Sequence, residues 1–258
     1  MKPYLSSKLI LAGIASLLTV TSTHAVIIDG GDLTYVSNTN GTLDVDAGND
    51  AVTMDANGSS YYTFGANLSD TLSVMSAGES VTLSMNFNQT EGFGLFRVGL
   101  FNSGGTPLED GSAFNASASN DAGIFVIVRQ TSSDTTYETG TDGDMFFGSD
   151  RTTDTTNTGS YSNTLNGALS ITYFLDESSN VNVTVALNGS DLYTTGFTTT
   201  GGMTFDTIAF VNDSSGTAAK SITFSNVSIN AIPEASDFAL WGGILCVGLL
   251  VRLRKARR

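Results

Sequence analysis

Apolar and polar residues alternate strictly along two stretches of the chain, residues 80–88 (SVTLSMNFN) and 180–188 (NVNVTVALN). Because successive side chains of a β-strand point to opposite faces, this period of two predicts half-buried strands, with one face on a core and the other in water. Residues 93–101, 169–175 and 204–211 repeat the pattern less regularly. We therefore expect strands at all five places.

Two further stretches predict strands of special kinds. Residues 123–128 (GIFVIV) are apolar at consecutive positions, which is typical of a central strand covered on both faces. In residues 221–229 (SITFSNVSI) the alternation changes phase at Ser225 and Asn226. A β-bulge at this point would return the apolar residues that follow to the buried face.

No stretch before the C-terminal tail shows a convincing helical period, and turn-forming residues separate the predicted strands. Residues 176–180 (DESSN) are expected to form a short hairpin connection, and residues 211–216 (VNDSSG) a turn. Residues 131–163 are dominated by Thr, Ser, Asp and Gly, and we expect a long mobile excursion that serves either as a binding segment or as neutral filler. The pattern predicts an all-β protein, an antiparallel β-sandwich or jelly roll.

The first 25 residues are typical of a secretory signal peptide. Lys2 and Lys8 supply a positive start, residues 9–20 are apolar, and Thr23-His24-Ala25 is a small-residue cleavage site. The apolar part is shorter than the roughly 20 residues that a lasting membrane helix needs, although a retained anchor is the alternative. We expect signal peptidase to remove residues 1–25, so that the mature chain begins near Val26.

The C-terminal end is predicted to be a second targeting element. Residues 238–251 form an uncharged run of 14, about 21 Å long as a helix against a hydrocarbon core of roughly 30 Å. Residues 252–258 (RLRKARR) carry five basic side chains, which should stay cytoplasmic and leave the body outside. We expect a single transmembrane helix. A helical hairpin docked on the body is the alternative, against which the basic end argues.

The order of these features in residues 232–258 resembles the PEP-CTERM sorting signal of Gram-negative bacteria. Pro233 and Glu234 match the family's Pro-Glu-Pro motif, and Ala235 stands at its third position. The resemblance implies processing by the membrane enzyme exosortase and an association with exopolysaccharide and biofilm matrix. It implies an inner-membrane intermediate followed by a place at the cell surface or in the extracellular matrix.

The part between these ends, residues 26–231, carries four Lys or Arg against 23 Asp or Glu, a formal charge of −19. The basic residues are Arg97, Arg129, Arg151 and Lys220. A surface of this sign repels nucleic acid and anionic lipid, so we expect no nucleic-acid partner. Such an acidic surface favours the binding of divalent cations, or it contributes to solubility alone.

The same part lacks three residue types. His24 lies in the leader, and Cys246 and Trp241 lie in the tail. Without imidazole or thiol, residues 26–231 can form no disulfide, no Cys/His zinc site and no Ser-His-Asp or Cys-His nucleophile. The closely spaced Glu-x-Asp-x-x-Glu motif of laminarinase-like hydrolases is also absent. We therefore predict that the chain is not an enzyme.

Two acidic clusters are candidate calcium sites, because Ca²⁺ prefers hard oxygen ligands from a short turn. The first comprises Asp44, Asp46 and Asp50, and the second Asp142 and Asp144. The spacing in the first cluster departs from that of the EF-hand loop. Solvated turns in an acidic chain are the alternative that we favour for both clusters, and no other cofactor is indicated.

Residues 79–87, 96–102, 123–128 and 222–229 together resemble, at the level of pattern, the concanavalin-A-like (laminin-G-like) jelly rolls. The resemblance implies a glycan-binding role. Glycan binding relies on aromatic rings that stack on sugars, and the tyrosines expected to be most exposed are Tyr61, Tyr62, Tyr137 and Tyr161. Tyr173 and Tyr193, in or beside predicted strands, are expected to belong partly to the core.

Three functional hypotheses follow. The leading one is a non-catalytic, exosortase-sorted surface or matrix protein (signal peptide 1–25, sandwich 26–231, sorting tail 232–258) that contacts extracellular polysaccharide. The second is an exported polysaccharide-acting enzyme that uses carboxylates alone. The third is a passive coat protein without a ligand.

Overall fold

The structure, a computed structural model, describes most of the central part of the chain. The described residues are 24–28, 32–33, 35–36, 41–56, 61–89, 94–105, 123–130, 134–141, 156–162, 166–197, 202–213 and 220–232. Most of the leader and all of the tail after Ile232, including Pro233, Glu234 and Ala235, lie outside these ranges. Within them, no helix has the length and apolar character needed to cross a bilayer.

Fifteen strands make up the described part of the chain. They are β1 (His24–Ile27), β2 (Tyr35–Val36), β3 (Gly41–Asp46), β4 (Ala51–Ala56), β5 (Tyr61–Val74), β6 (Ser80–Gln89), β7 (Gly94–Phe101), β8 (Gly123–Gln130), β9 (Asp134–Thr141), β10 (Thr156–Ser162), β11 (Asn166–Leu175), β12 (Val181–Leu187), β13 (Ser190–Phe197), β14 (Met203–Asp213) and β15 (Lys220–Ile232).

The strands form two antiparallel sheets. Sheet A has the order β13-β12-β11-β6-β15-β4-β3, with β1 beside β15, and sheet B has the order β10-β9-β8-β7-β14-β5-β2. Every neighbouring pair in both sheets is antiparallel. The prediction of an all-β protein with antiparallel sheets is therefore confirmed.

The core lies between the two sheets and is built from alternate residues of their strands. In β6, for example, the residues from Val81 to Phe87 that face the core are buried, and their neighbours are exposed or half-buried. A cluster of aromatic rings joins the sheets. Phe224 of sheet A lies 4.8 Å from Phe210 and 5.4 Å from Phe96 of sheet B, measured between ring centroids. The burial of such rings is the main favourable contribution to folding.

The strands predicted from alternation are found where they were expected. Residues 80–88 lie in β6, and residues 180–188 contain β12. Strand β8, predicted to be covered on both faces, is buried at every position from Gly123 to Val128 and lies inside sheet B. The connection at residues 176–180 joins β11 to β12 as a hairpin.

The predicted bulge in β15 is also confirmed. The register between β15 and β6 shifts between Ser225 and Ser228, and Asn226 has a φ of 52°. The amide of Asn226 donates a hydrogen bond to the carbonyl oxygen of Asp50 at 3.3 Å. The extra residue returns Val227 and Ile229 to the buried side of the strand.

The expectation of a long excursion at residues 131–163 is wrong over much of its length. This stretch contains β9 and β10, which extend sheet B beyond β8. Thr135, Tyr137 and Thr139 of β9 are completely buried. Their β-branched and aromatic side chains suit a strand, and pairing with the apolar strand β8 outweighs the polar composition.

Candidate functional site

Sheet B has two buried faces, and only one of them belongs to the core between the sheets. In β7, Val98 and Leu100 join the core, so that Arg97, Gly99 and Phe101 point to the opposite side. Phe101, Phe125 and Ile127 are buried on this opposite side and are not members of the core cluster. We call this side, which faces away from sheet A, the outer face of sheet B.

The strand register arranges the outer face in rows that run across the sheet. Arg97 pairs with Val211 on one side and with Ile127 on the other, and Ile127 pairs with Glu138. Arg129 lies two residues beyond Ile127 on the same face of β8. Arg97 and Arg129 are therefore diagonal neighbours on adjacent strands, a relation that places Cα atoms roughly 7–8 Å apart.

Three charged side chains thus come together on this face, and we call Arg97, Arg129 and Glu138 the arginine cluster. Arg97 is only 1% exposed and Glu138 8%. Arg129 Nη2 donates to Glu138 Oε2 at 3.4 Å, and the Arg129 side chain is 33% exposed. The buried Nε of Arg129 has no hydrogen-bond partner among the described residues. The cluster runs from a fully buried guanidinium to one that reaches solvent.

The row next to the arginine cluster is apolar and buried. Gly99, Phe125 and Gly140 are aligned across β7, β8 and β9. A Cβ atom on Gly140 would lie 2.5 Å from Cζ of Phe125, so the ring lies directly against this glycine. The outer face thus places charged side chains next to a buried apolar row.

Two of the tyrosines proposed as exposed sugar-stacking residues are in the core. Tyr62 is 2% exposed and Tyr137 0%, so the expectation that these rings are exposed is wrong. Both stand at positions that alternate onto the core face, and burial raises the pKa of Tyr62. Tyr61 and Tyr161 lie in β5 and β10, and their side chains are outside what the structure describes.

The other two tyrosines are placed as expected. Tyr173 is completely buried in β11. Tyr193 of β13 is partly buried and packs against the core. Its hydroxyl makes a hydrogen bond with that of Thr139, which joins the edge strand β13 of sheet A to β9 of sheet B.

The first predicted calcium cluster lies in the hairpin between β3 and β4. Asp46 Oδ2 accepts a hydrogen bond from Asn49 Nδ2 at 2.6 Å, and Oδ1 accepts one from the Gly48 amide at 3.1 Å. The bond from the Asn49 side chain is the main cause that lowers the pKa of Asp46. Asp44 is exposed on β3, and Asp50 has a φ of 48° in the turn.

Asp142 and Asp144 of the second cluster lie outside the described residues. Within the described ranges, no group of three or more His, Cys, Asp or Glu side chains is placed to hold a metal ion. Calcium binding stays a prediction.

The sequence contained a signal for the arginine cluster. Arg97 interrupts the apolar stretch FRVGLF, and Arg129 follows the apolar strand GIFVIV directly. A charge inside a buried strand is costly unless a partner or a function retains it. Sequence reasoning counted these residues only as part of the net charge, because their proximity depends on strand pairing.

Comparison with known proteins gives similarity of fold only. No family model matches the chain, and no curated protein matches it. The potassium-bound carbohydrate recognition domain of Emp46p is 11% identical with a TM-score of 0.46, over 78% of this chain and 88% of that one. A Bacillus subtilis protein of unknown function with a galectin-like fold is 11% identical with a TM-score of 0.46, over 81% and 100%.

Enzymes are among the similar structures as well. An endo-β-1,4-glucuronan lyase from the fungus Trichoderma reesei is 11% identical with a TM-score of 0.46, over 80% of this chain and 94% of that one. The alginate lyase Aly36B is 9% identical, and a carbohydrate esterase from bacteriophage phi24B is 13% identical.

These matches correct the prediction that the chain is not an enzyme. Lyases and an esterase have sandwiches of this general kind, so the fold is not restricted to proteins without catalytic activity. The lack of His and Cys in residues 26–231 excludes imidazole and thiol chemistry, but Arg, Glu and Tyr remain. At such low identity the matches establish no activity for this chain.

Proposed function

We propose that this chain is an exported surface or extracellular-matrix protein whose β-sandwich contacts an extracellular polysaccharide through the outer face of sheet B. The observation that carries the proposal is the arginine cluster. Arg97, Arg129 and Glu138 lie on a sheet face that the core does not use. The Arg129 side chain reaches solvent on this face, so its guanidinium can donate hydrogen bonds to a ligand.

The chemistry of this face suits a polyhydroxylated ligand. Guanidinium and carboxylate groups are planar, and each offers two hydrogen-bonding atoms to neighbouring hydroxyls. Thr136 lies opposite Arg129 on β9, and its hydroxyl donates to the Arg129 carbonyl at 3.4 Å.

Export and sorting form the second part of the proposal. Signal peptidase removes residues 1–25, and exosortase acts at Pro233-Glu234-Ala235 while residues 238–251 hold the chain in the membrane. One feature of sheet A supports the sorting step. β15 ends at Ile232, one residue before Pro233, so the motif directly follows the last described strand.

Binding is tested with the full chain, purified in detergent and mixed with a panel of insoluble or immobilised polysaccharides. We expect retention on at least one polysaccharide and none on the bare support. Reducing ends and unsaturated ends are measured in the same samples, so that any turnover is seen. A protein that is retained on no polysaccharide would contradict the proposed contact.

Sorting is tested by mass spectrometry of protein released from the cell surface. We expect a new C-terminus between residues 232 and 236. Replacing Ala235 by Pro, which completes the family motif, should increase the processed fraction. Released protein that still ends at Arg258, for both the wild type and Ala235→Pro, would overturn the sorting proposal.

A further inference from the structure

We infer that the solvent-facing side of sheet A binds an uncharged polysaccharide, with the ring of Phe174 as the platform on which one sugar stacks. This side points away from sheet B, and we call it the hydroxyl face after its outward residues Thr82, Thr172 and Thr184. The inference rests on the proposed function for the class of ligand, and it adds a second binding face on the other layer of the sandwich.

Charge is the first argument. Residues 26–231 carry four Lys or Arg against 23 Asp or Glu. Strands β6, β11 and β12 are described along their whole length, and none of their outward residues is charged. An anionic polymer is repelled by the acidic surface around this face, whereas an uncharged polymer is not. The hydroxyl face therefore suits an uncharged ligand.

Regularly spaced hydroxyl groups are the second argument. Four threonines lie opposite one another on the adjacent strands β13, β12, β11 and β6, namely Thr194, Thr184, Thr172 and Thr82. The hydroxyls of Thr172 and Thr82 are 3.0 Å apart, and those of Thr184 and Thr194 are 2.8 Å apart. Since neighbouring strands are about 4.8 Å apart, this row is about 14 Å long. Each hydroxyl has one donor hydrogen and two acceptor lone pairs, so the paired threonines keep acceptor capacity for the hydroxyls of a ligand.

Phe174 is the third argument, because it is an aromatic side chain on the polar side of its strand. Its ring is half-buried and belongs neither to the core cluster nor to the apolar side chains that pack against that cluster. Phe174 lies opposite Ser80 of β6, and Ser80 lies opposite Ile232 of β15, which is 42% exposed. Apolar surface that stays in water contributes nothing to folding. A sugar that covers the ring with its C–H face removes this surface from water.

The other neighbour of Phe174 is a fixed amide. Asn182 of β12 lies opposite Phe174. Its Nδ2 donates hydrogen bonds to Asp176 Oδ2 at 3.0 Å and to the carbonyl oxygen of Asn180 at 3.1 Å, and these bonds hold the amide in place. Its Oδ1 lies over Gly196 of β13, where a Cβ atom would come within 2.7 Å of it. The oxygen is thus held beside a position without a side chain, as an acceptor for a sugar hydroxyl next to the ring.

A second copy of this chain is a weaker candidate for the hydroxyl face. Interfaces between proteins have an apolar core and bury about 800 Å² on each partner. Among the outward residues of β6, β11, β12 and β15, Phe174 and Ile232 alone supply large apolar side chains. Two copies also repel each other, because residues 26–231 of each carry a formal charge of −19. An uncharged polymer is therefore the occupant that this face favours.

The experiment measures binding of the full chain in detergent to soluble uncharged polysaccharides. Dextran, pullulan, galactomannan and xyloglucan are the probes, and polygalacturonate is the charged comparison. We expect at least one uncharged polysaccharide to bind, with an affinity that changes less than about twofold between about 0.05 and about 0.5 M salt, because no charges are involved. The thermal midpoint of the protein should rise when this polysaccharide is added.

Three variants test the site. Phe174→Ala should weaken binding about tenfold and abolish the rise in thermal midpoint, because the platform for the sugar is lost. Phe174→Tyr keeps an aromatic ring and should bind within about twofold of wild type. Met75→Ala, at a 50% exposed position between β5 and β6, removes an apolar side chain outside the face and should leave binding unchanged. Circular dichroism and a thermal melt without ligand show whether each variant is folded, so that loss of binding by a folded Phe174→Ala is not a structural effect.

Arg129→Gln, on the outer face of sheet B, separates this inference from the proposed function. Binding that falls with Phe174→Ala supports the hydroxyl face, whatever the effect of Arg129→Gln. Binding that falls with Arg129→Gln but not with Phe174→Ala overturns the inference and leaves the proposed contact standing. Absence of binding to every polysaccharide overturns both.

Two further outcomes bear on the occupant of the face. Tighter binding of polygalacturonate than of every uncharged polysaccharide overturns the assignment of an uncharged ligand. Light scattering that shows a dimer in wild type and a monomer in Phe174→Ala would assign the face to a second copy of the chain and overturn the inference.

Discussion

The hydroxyl of Tyr173, on β11 of sheet A, donates a hydrogen bond to the carbonyl oxygen of Ile124, on β8 of sheet B, over 3.1 Å. Both residues are completely buried, and the Tyr173 ring lies 5.1 Å from that of Phe205. The bond spans the core and fixes how the two sheets are placed relative to each other. Because β8 also carries Arg129, the same bond helps to position the outer face.

Tyr173→Phe should therefore lower the free energy of unfolding by about 1–2 kcal/mol, since it leaves the packing intact and removes one buried hydrogen bond. Urea denaturation should show a lower midpoint with an unchanged m-value. Tyr193→Phe, at a partly exposed position on β13, should have a smaller effect. Equal midpoints for wild type and Tyr173→Phe would show that the bond contributes nothing.

The stabilisation by Tyr173 should depend on pH in the alkaline range. Burial raises the pKa of Tyr173 far above its ordinary value. The hydroxyl ionises more easily in the unfolded chain, where its pKa is about 10. The neutral hydroxyl therefore contributes fully to the stability of the fold below pH 10, and this contribution declines as the pH rises above 10. The stability difference between wild type and Tyr173→Phe should thus shrink above pH 10. A difference that stays constant up to the pH of alkaline unfolding would contradict this.

Acid pH should weaken the hairpin between β11 and β12. Asp176 Oδ1 accepts the Asn180 amide at 2.9 Å, and Oδ2 accepts Asn182 Nδ2 at 3.0 Å, and these bonds lower the pKa of Asp176. Since the folded-state pKa lies below the unfolded value, the stabilisation is complete above about pH 4 and is lost as the pH falls through the folded-state pKa.

Asp176→Ala should therefore be less stable than wild type at pH 7, and this difference in stability should be smaller at pH 3. The difference is measured from the urea midpoints of both proteins at the two pH values. Asp191→Ala, at an exposed position on β13, is the matched control and should change the midpoint little at either pH. If the stability difference between wild type and Asp176→Ala is the same at pH 7 and pH 3, the ionised carboxylate of Asp176 does not stabilise the hairpin.

The bulge in β15 should tolerate only residues that accept a positive φ. At Asn226, with φ of 52°, a β-branched residue is strained, and Asn226→Val should cost about 1–2 kcal/mol. Asn226→Gly should stay within about 0.5 kcal/mol of wild type, because glycine adopts this conformation freely. Thermal melts of the two variants side by side give the comparison. A stable Asn226→Val would mean that β15 can rearrange without its bulge.

The aromatic cluster should dominate the stability of the core. Phe224 is 1% exposed and lies 4.8 Å from Phe210, so Phe224→Ala should cost about 3–5 kcal/mol and Phe224→Leu less. Ile232→Ala, at a 42% exposed position of the same strand, should stay within about 0.5 kcal/mol. Urea unfolding measures all three, and a loss below 1 kcal/mol for Phe224→Ala would show that the cavity collapses.

The sequence by itself determined the individual strands, because alternation is a local property. The pattern of residues 80–88 is sufficient to locate β6, and the change of phase at Ser225 is sufficient to locate the bulge. The sequence did not predict the structure of residues 131–163, because the Thr-rich strand β9 forms through its pairing with β8. Pairing with a neighbouring strand outweighs the local composition there.

Only the tertiary structure decided which residues meet. Arg97 and Glu138 are 41 positions apart in the chain and become members of one row because β7, β8 and β9 pair in a particular register. Tyr62 and Tyr137 were expected in solvent, but the same register turns both rings into the core. A shift of one residue would reverse every side chain of a strand, and this register is set by contacts between strands that no local pattern contains.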